Sequence, residues 1–257
     1  MFFSDRRGRK IYYEVHGSGE PLVLLHHGFG SLVMWSGIYP ELVKAGWQVV
    51  VYDRPGYGRS TPGDDFDEFY RRDDFRSENV SVLRQLAGFL ELSRFHLVGQ
   101  CEGGVVAVDF AAACPGLVKT LVTSSTLCRA REPMAEFNRA RFPRSFHDLE
   151  PEMQQKMIYW QGPDYAEKFY DLLWKYGGSY GLGRFDLRAV LERVTCPALV
   201  LYPDRSPLFE VEQGVEFYRH LPAGELAVLP KCGHNTYEQQ PREYVRQIRR
   251  FIRRHSG

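Results

Sequence analysis

The stretch that decides the fold of this chain is Leu97-Val98-Gly99-Gln100-Cys101-Glu102-Gly103-Gly104. Its first residues are typical of a β-strand, and a helix is predicted directly after it, at residues 105–113. Cys101 thus lies on a sharp turn between strand and helix, in the spacing of a G-x-S-x-G nucleophile elbow with sulfur in the place of oxygen. The flanking glycines relieve crowding at such a turn. Because a helix N-terminus carries partial positive charge, we expect the thiolate form of Cys101 to be favoured there.

Apolar runs typical of buried strands recur along the chain, and helical segments alternate with them. The strands are predicted at residues 10–15, 21–26, 47–52, 95–98, 118–122, 198–202 and 225–229. Further helices are predicted at residues 80–92, 187–194 and 242–254. Repeated strand–helix units of this kind predict an α/β protein with a mostly parallel sheet covered by helices on both faces.

One long segment, residues 129–185, breaks this alternation because it is rich in aromatic side chains and contains no predicted parallel strand. We interpret it as a helical cap inserted after the sixth strand, over a core formed by residues 1–128 and 186–257. A cap in this position would cover the strand ends where such folds bind ligands. Trp160 and Trp174 are its expected substrate contacts, and its glycine-rich end is the expected hinge.

The net charge, the hydropathy and the cysteine content of the chain limit its expected binding partners and its expected cellular location. A net charge of +1 over 257 residues gives no basic field, which disfavours nucleic acids and anionic membranes as partners. No apolar stretch is long enough to span a membrane, and the first residues do not resemble a signal peptide. The five cysteines match neither a disulfide framework nor a metal pattern. We therefore expect a cytoplasmic protein with no metal or other cofactor, while the oligomeric state is not indicated.

The order of elements, with several separated motifs, resembles the α/β-hydrolase fold over essentially the whole chain. Besides the elbow, the motifs are His27-Gly28-Phe29-Gly30 after the second predicted strand and Asp53-Arg54-Pro55-Gly56-Tyr57-Gly58-Arg59-Ser60 after the third. The latter is similar to the D-x-x-G-x-G-x-S turn of that superfamily. Candidate acid and histidine positions, considered next, complete the set.

The resemblance implies a nucleophile–acid–histidine order along the chain. Asp204 follows the strand at residues 198–202, whereas the earlier strand at residues 118–122 is followed by no carboxylate. His234 matches the Gly-His position after the last strand. The implied triad is therefore Cys101, Asp204 and His234. The expected partner is a small-molecule acyl substrate. The resemblance also implies an oxyanion hole made by the backbone N–H groups of Phe29 and Glu102.

A cysteine in the place of the usual serine restricts the classes of substrate, because a thiolate is a better leaving group than an alkoxide. Thioesters, activated esters and enol-lactones suit such a nucleophile. The chain is similar to dienelactone hydrolases in triad chemistry and to polyhydroxyalkanoate synthases in its G-x-C-x-G-G box, although those synthases are considerably longer. We expect an acyl hydrolase for a small to medium, largely apolar ester, lactone or thioester. Two alternatives stay open: an acyltransferase with an acceptor other than water, and a non-catalytic, hydrolase-like binding protein.

Charged side chains near the expected site have two interpretations each. Glu102 either complements the helix dipole or points at Cys101 and raises the pKa of its thiol. The arginines of the cap segment form either a solvated face or a binding site for a substrate carboxylate or phosphate. They are Arg129, Arg131, Arg139, Arg141 and Arg144.

Overall fold

The computed structural model describes residues 1–60, 67 and 75–255. Eight strands form its central sheet: β1 Phe2–Ser4, β2 Lys10–His16, β3 Glu20–Leu25, β4 Trp47–Tyr52, β5 Phe95–Gln100, β6 Val118–Ser124, β7 Ala198–Pro203 and β8 Gly224–Leu229. Their order in the sheet is β1-β2-β4-β3-β5-β6-β7-β8. The pairs β1–β2 and β2–β4 are antiparallel, and every pair from β4 through β3 to β8 is parallel. The predicted α/β class with a mostly parallel sheet is confirmed.

The helices alternate with the strands as the sequence predicts. They are α1 Tyr39–Lys44, α2 Phe75–Phe89, α3 Glu102–Ala113, α4 Met134–Arg141, α5 Pro151–Gln161, α6 Ala166–Tyr176, α7 Arg188–Leu191, α8 Val211–Arg219, α9 Thr236–Gln239 and α10 Pro241–His255. Strand β1 was not predicted, because three residues are too few to show a period. The helix predicted at residues 187–194 is shorter, spanning only α7.

Helix α3 begins three residues before its predicted start, since two glycines belong to it. Glycine disfavours a helix locally, but here close packing requires it. A Cβ atom on Gly103 would collide with the backbone carbonyls of Leu25 and His26, and one on Gly104 would collide with the Thr126 side chain. The first turn of α3 therefore lies directly against the end of β3.

Each face of the sheet has its own hydrophobic core, because side chains alternate between the faces along a strand. In β3, Val23 and Leu25 belong to one core, and Leu22 and Leu24 belong to the other. The first core includes side chains of α2, α3 and α8, and the second includes side chains of α1 and α10. Helices thus cover the sheet on both faces.

The segment interpreted as a cap follows β6 and contains α4, α5 and α6, with 3-10 turns at Phe146–Asp148 and Gly178–Tyr180. Its two ends meet: Arg129 and Asp186 form an antiparallel bridge, and the N–H of Ala130 donates to the carbonyl of Phe185 at 2.8 Å. Among the residues described, no helix is both long enough and apolar enough to cross a membrane.

Candidate active site

Cys101 occupies the turn between β5 and α3 with φ +52° and ψ −115°. A positive φ is rare for a residue other than glycine and stores backbone strain, which is characteristic of functional turns. The turn is held because the N–H of Cys101 donates to the carbonyl of Ser124 at 2.7 Å, which extends the β5–β6 pairing by one residue. The residue is 8% exposed. Its side chain therefore sits at the carboxyl end of the parallel strands, as the elbow pattern predicts.

Cys101 lines a cavity of about 340 Å³. The cavity is also lined by His234, Phe29 and Glu102, so four of the five site residues predicted in the core meet there. Both tryptophans predicted as substrate contacts belong to its wall. Much of the remaining wall comes from the cap segment and is mainly apolar: Met134, Phe137, Phe142, Met153, Tyr170, Leu173 and Tyr180.

Two hydrogen bonds fix the backbone of His234 beside the elbow. Gln100 donates to the His234 carbonyl from its side-chain amide at 2.9 Å, and Ser125 donates to the same oxygen from its hydroxyl at 2.7 Å. The imidazole ring lies edge-on to Phe209 at 5.5 Å between ring centroids. Burial lowers the pKa of His234 to about 4. The ring is therefore neutral at neutral pH.

The structure does not bring Asp204 to His234. The Asp204 N–H continues the β7–β8 pairing by donating to the carbonyl of Leu229 at 3.2 Å, and its carboxylate accepts the N–H of Cys232 at 3.0 Å. Backbone N–H groups of Cys232 and Lys231 hold the pKa of Asp204 below its ordinary value. Within the described part of the chain, no hydrogen bond joins Asp204 to His234. Because Asp204 is still in register with β8, its carboxylate braces the loop that follows β8.

Ser206, two residues further along the same turn, contacts the histidine instead. Its Oγ lies 3.2 Å from His234 Nδ1. The N–H groups of Leu208 and Phe209 both donate to this Oγ, each at 3.2 Å. Ser206 was not among the residues predicted from the sequence, and the signal for it was its place in the turn after β7.

The thiol of Cys101 is not held as a thiolate. Burial raises its pKa to about 12, and the Glu102 carboxylate adds to this rise. The Tyr180 hydroxyl, which hydrogen-bonds to the sulfur at 3.6 Å, and the Glu102 N–H both lower the pKa of the thiol but do not offset burial. The expectation that Cys101 is a thiolate is therefore wrong for this site, because burial outweighs the effect of the helix N-terminus. Among the described residues, no hydrogen bond joins Cys101 to His234.

The two expected oxyanion-hole donors differ in their present partners. The N–H of Glu102 is directed close enough to the Cys101 sulfur to lower the pKa of the thiol. The N–H of Phe29 donates to Nδ1 of His27 at 3.2 Å. Burial lowers the pKa of His27 to about 3, so its neutral ring donates from Nε2 to the Tyr237 hydroxyl at 3.1 Å. Phe29 can serve an oxyanion only when the His27 ring releases its N–H.

The carboxylate of Glu102 faces a buried arginine that the sequence analysis did not single out. Its Oε1 accepts hydrogen bonds from Arg54 at 2.7 Å, from the Tyr57 hydroxyl at 3.0 Å and from the Ser179 hydroxyl at 2.8 Å. Both charged side chains are buried, so the ion pair satisfies charges that would otherwise be very costly. Glu102 thus joins the Asp53–Ser60 turn to the cap segment, and its effect on the Cys101 thiol is secondary.

Four of the five cap arginines pair with carboxylates outside the cavity, which favours the solvated-face interpretation. The pairs are Arg129–Glu216, Arg131–Glu210, Arg141–Glu132 and Arg144–Asp171, at distances of 2.6, 2.7, 3.4 and 3.2 Å. Among the residues that the structure describes, no group of three or more His, Cys, Asp or Glu side chains is arranged to hold a metal ion.

Comparison with known proteins agrees with the fold. Residues 22–247 match the model of the alpha/beta hydrolase family, and the chain belongs to that family. It is 25% identical over 286 residues to a proline iminopeptidase of Lactobacillus crispatus, with 96% of each chain covered. It is 26% identical over 273 residues to a 2-hydroxy-6-oxononadienedioate/2-hydroxy-6-oxononatrienedioate hydrolase of Burkholderia vietnamiensis, covering 95% of this chain and 91% of the relative. The enol-lactonase structure from Burkholderia xenovorans superposes with a TM-score of 0.75 at 18% identity, covering 98% and 99% of the two chains.

Proposed function

We propose that the chain is an acyl hydrolase that uses Cys101 as nucleophile and His234 as general base. Its substrate is a small to medium, largely apolar ester, lactone or thioester. The observation that carries this proposal is the strained elbow of Cys101, which opens with His234 onto one mainly apolar cavity of about 340 Å³. A nucleophile and a histidine in a shared concave site are the elements that acyl transfer requires.

The protonation states decide how the reaction begins. With the thiol pKa raised to about 12 and the imidazole pKa lowered to about 4, both groups are neutral at neutral pH. The proton must therefore pass to His234 while the sulfur–carbon bond forms, which is general-base catalysis and not attack by a standing thiolate. The carbonyl oxygen becomes an oxyanion that the Glu102 N–H stabilises, together with the Phe29 N–H once His27 releases it.

The second half of the reaction returns the proton. The His234 imidazolium protonates the leaving group as its bond to the acyl carbon breaks, which leaves a thioester on Cys101. Water then attacks this thioester, with His234 again taking a proton, and the thiol is released with the free acid. A thiolate is expelled from the tetrahedral intermediate more readily than an amine. This supports an ester, lactone or thioester substrate in preference to the peptide substrates implied by the name of the iminopeptidase relative.

The wall of the cavity supports an apolar acyl group. We propose that residues 129–185 act as a cap over a core of residues 1–128 and 186–257, with Trp160 and Trp174 as substrate contacts. Both tryptophans line the cavity. We further propose a cytoplasmic location, since all five cysteines are free thiols and a reducing compartment preserves them.

Replacement of Cys101 by Ala tests the proposed nucleophile. We expect turnover of p-nitrophenyl esters and acyl thioesters to fall by about 10³-fold or more, as for other catalytic nucleophiles. The matched control is Cys114→Ala at the other end of the same helix, which should keep its rate. Intact-protein mass spectrometry after a brief substrate pulse should show an acyl adduct that Cys101→Ala lacks.

The same assay separates hydrolysis from transfer. Release of free acid alone, in the presence of alcohol and amine acceptors, supports the hydrolase. Acylated acceptor as the main product would make the chain an acyltransferase, and unchanged turnover in Cys101→Ala would remove Cys101 from the mechanism.

A further inference from the structure

We infer that Ser206 is the residue that positions His234, so that the site operates as Cys101–His234–Ser206 without a carboxylate. The inference rests on the proposed function and deepens it, by assigning the third member of the site. Ser206 Oγ is 3.2 Å from His234 Nδ1, and it is the one hydrogen-bond partner of the ring among the described residues.

The donors and acceptors around Ser206 determine the direction of this bond. A hydroxyl has one hydrogen to donate and two lone pairs to accept. The N–H groups of Leu208 and Phe209 occupy the lone pairs, so the hydroxyl hydrogen is directed to His234 Nδ1. These same two amide bonds hold Oγ in place. The resting imidazole therefore carries its proton on Nε2.

A carboxylate could not make this bond, because it only accepts. Serine can both donate and accept. When the imidazole holds its proton on Nδ1 and is ready to act as a base through Nε2, the Ser206 hydroxyl turns to accept from Nδ1 at the expense of one amide bond. The two neutral tautomers exchange through proton transfer with water, so the number of protons in the site does not change.

None of the ionisable groups described near the His234 ring places a negative charge beside its Nδ1. Those that share the cavity with His234 are Cys101, Glu102, His27, Lys156, Tyr170 and Tyr180, and Tyr180 also hydrogen-bonds to the thiol. The Glu102 carboxylate accepts from Arg54, and Lys156 pairs with Glu152 and Glu238. Lys231 and Asp204 flank the loop, where Asp204 accepts the N–H of Cys232.

Because the proposed nucleophile is a thiol, a neutral hydrogen-bond partner such as Ser206 is sufficient to orient the His234 ring. A thiol gives up its proton far more readily than a serine hydroxyl, so its base needs less stabilisation of the imidazolium form. An aspartate adjacent to the ring would stabilise that form strongly. Ser206 thus orients the ring without making it a stronger base.

Three variants of the full-length chain test this inference through pH profiles of kcat/KM for an acyl thioester. Ser206→Asp should move the acid limb of the profile upward by about 1–3 pH units, since a carboxylate at this distance stabilises the imidazolium. Ser206→Ala should lower kcat by about 10- to 100-fold with KM within about twofold. This is less than the contribution of about 10²- to 10⁴-fold of a general base, because the base is retained and only its positioning is lost. Asp204→Asn should leave the acid limb where it is. Circular dichroism establishes that each variant is folded, and Ser206→Thr, which keeps the hydroxyl, should restore most of the rate.

The opposite pattern overturns the inference. If Asp204→Asn shifts the limb or abolishes turnover while Ser206→Asp leaves the profile unmoved, Asp204 is the residue that orients His234. Failure of the proposed function is distinct, because it requires unchanged turnover in Cys101→Ala. A misfolded Ser206→Ala does not block the test, since the shift in Ser206→Asp is measured independently.

Discussion

Cys101 carries its thiol on a strained backbone turn, in a site where burial outweighs the positive end of the helix. A helix N-terminus stabilises a thiolate by a modest amount, typically about 0.3–1 kcal/mol and up to about 2 kcal/mol when partly buried. Burial instead raises the pKa of this thiol to about 12. As the proposed nucleophile, Cys101 is therefore protected from oxidants and alkylating agents until a substrate and a base are both in position.

This residue environment predicts slow reaction of Cys101 with iodoacetamide. At pH 7 the thiolate fraction is very small, and the alkylation rate should still be rising with pH at pH 10. Tyr180→Phe, which removes the hydrogen bond that lowers the thiol pKa, should slow the reaction further at every pH. Peptide mass spectrometry with site-resolved rates provides the measurement.

The other four cysteines serve as internal references in the same experiment. A plateau of Cys101 alkylation at or below pH 8 would contradict the raised pKa and point to a thiolate stabilised by a nearby cation. Inclusion of a denaturant should make all five rates similar, which verifies that the protection comes from the fold.

At the scale of elements, the buried side chain of Gln161 joins helix α5 of the cap segment to the core by several hydrogen bonds. Gln161 donates to the carbonyls of Phe29 and Gly30 at 2.8 and 3.0 Å, and it accepts the N–H of Gly58 at 2.8 Å. One amide therefore connects α5, the loop that carries an expected oxyanion donor, and the turn after β4. Movement of α5 away from the core has to break these bonds.

Gln161→Ala should loosen this connection. The variant leaves buried backbone groups unsatisfied, each costing about 1–3 kcal/mol, so urea unfolding should show a marked loss of stability. Because the Phe29 loop loses its support but keeps its N–H, kcat should fall by about 10- to 100-fold, less than the loss of about 10²- to 10³-fold on outright removal of an oxyanion donor. Steady-state kinetics and urea titration supply both quantities.

Gln154→Ala on the same helix is the matched control. Its amide donates to the carbonyls of Leu149 and His147 near the start of α5, away from the oxyanion loop. We expect a small change in stability and none in kcat. Equal losses of kcat in the two variants would mean that the whole helix, and not the Gln161 connection, supports the site.

For the whole molecule, the buried histidines set the response to acid. Burial lowers the pKa of His26, His27, His96 and His234 in the folded state, to about 3 for His27 and about 4 for His234. Their pKa in the unfolded chain is about 6.5. Below that pH the unfolded chain binds protons that the folded chain does not, so the free energy of unfolding falls as the pH drops from about 6.5 toward 4.

Two buried carboxyl groups act in the opposite direction. Burial raises the pKa of Asp53 to about 7 and also raises that of Asp109, so the folded state retains protons there that the unfolded chain has lost. The four histidines outnumber the two carboxyl groups, so the free energy of unfolding falls as the pH is lowered. Each histidine whose effect is not cancelled by a carboxyl group contributes up to about 1.4 kcal/mol per pH unit. Urea unfolding between pH 8 and pH 5 measures the slope. Stability that is constant or increases toward pH 5 would contradict this account.

The features that the sequence predicted are those encoded locally. The elbow at Cys101 follows from glycine spacing between a strand and a helix, and the strands follow from their apolar runs. The choice between Asp204 and Ser206 depends on how far the β7–β8 pairing extends, and no local pattern reports that register. Arg54 and Gln161 act through contacts more than forty and more than a hundred residues away in sequence, respectively. Such contacts exist only once the sheet has brought the segments together.

The bridge between Arg129 and Asp186 allows the substrate range of a protein with this fold to change separately from its reaction. Chain entering and leaving the cap segment runs side by side, with the Leu187 N–H donating to the Cys128 carbonyl at 2.9 Å. The proposed nucleophile Cys101 and the proposed base His234 belong to the portions outside this bridge. An insertion, deletion or exchange between the two paired residues therefore rebuilds the wall of the pocket without altering the spacing of nucleophile and base. Selection for a new acyl group can act on about 55 contiguous residues while the chemistry is inherited unchanged.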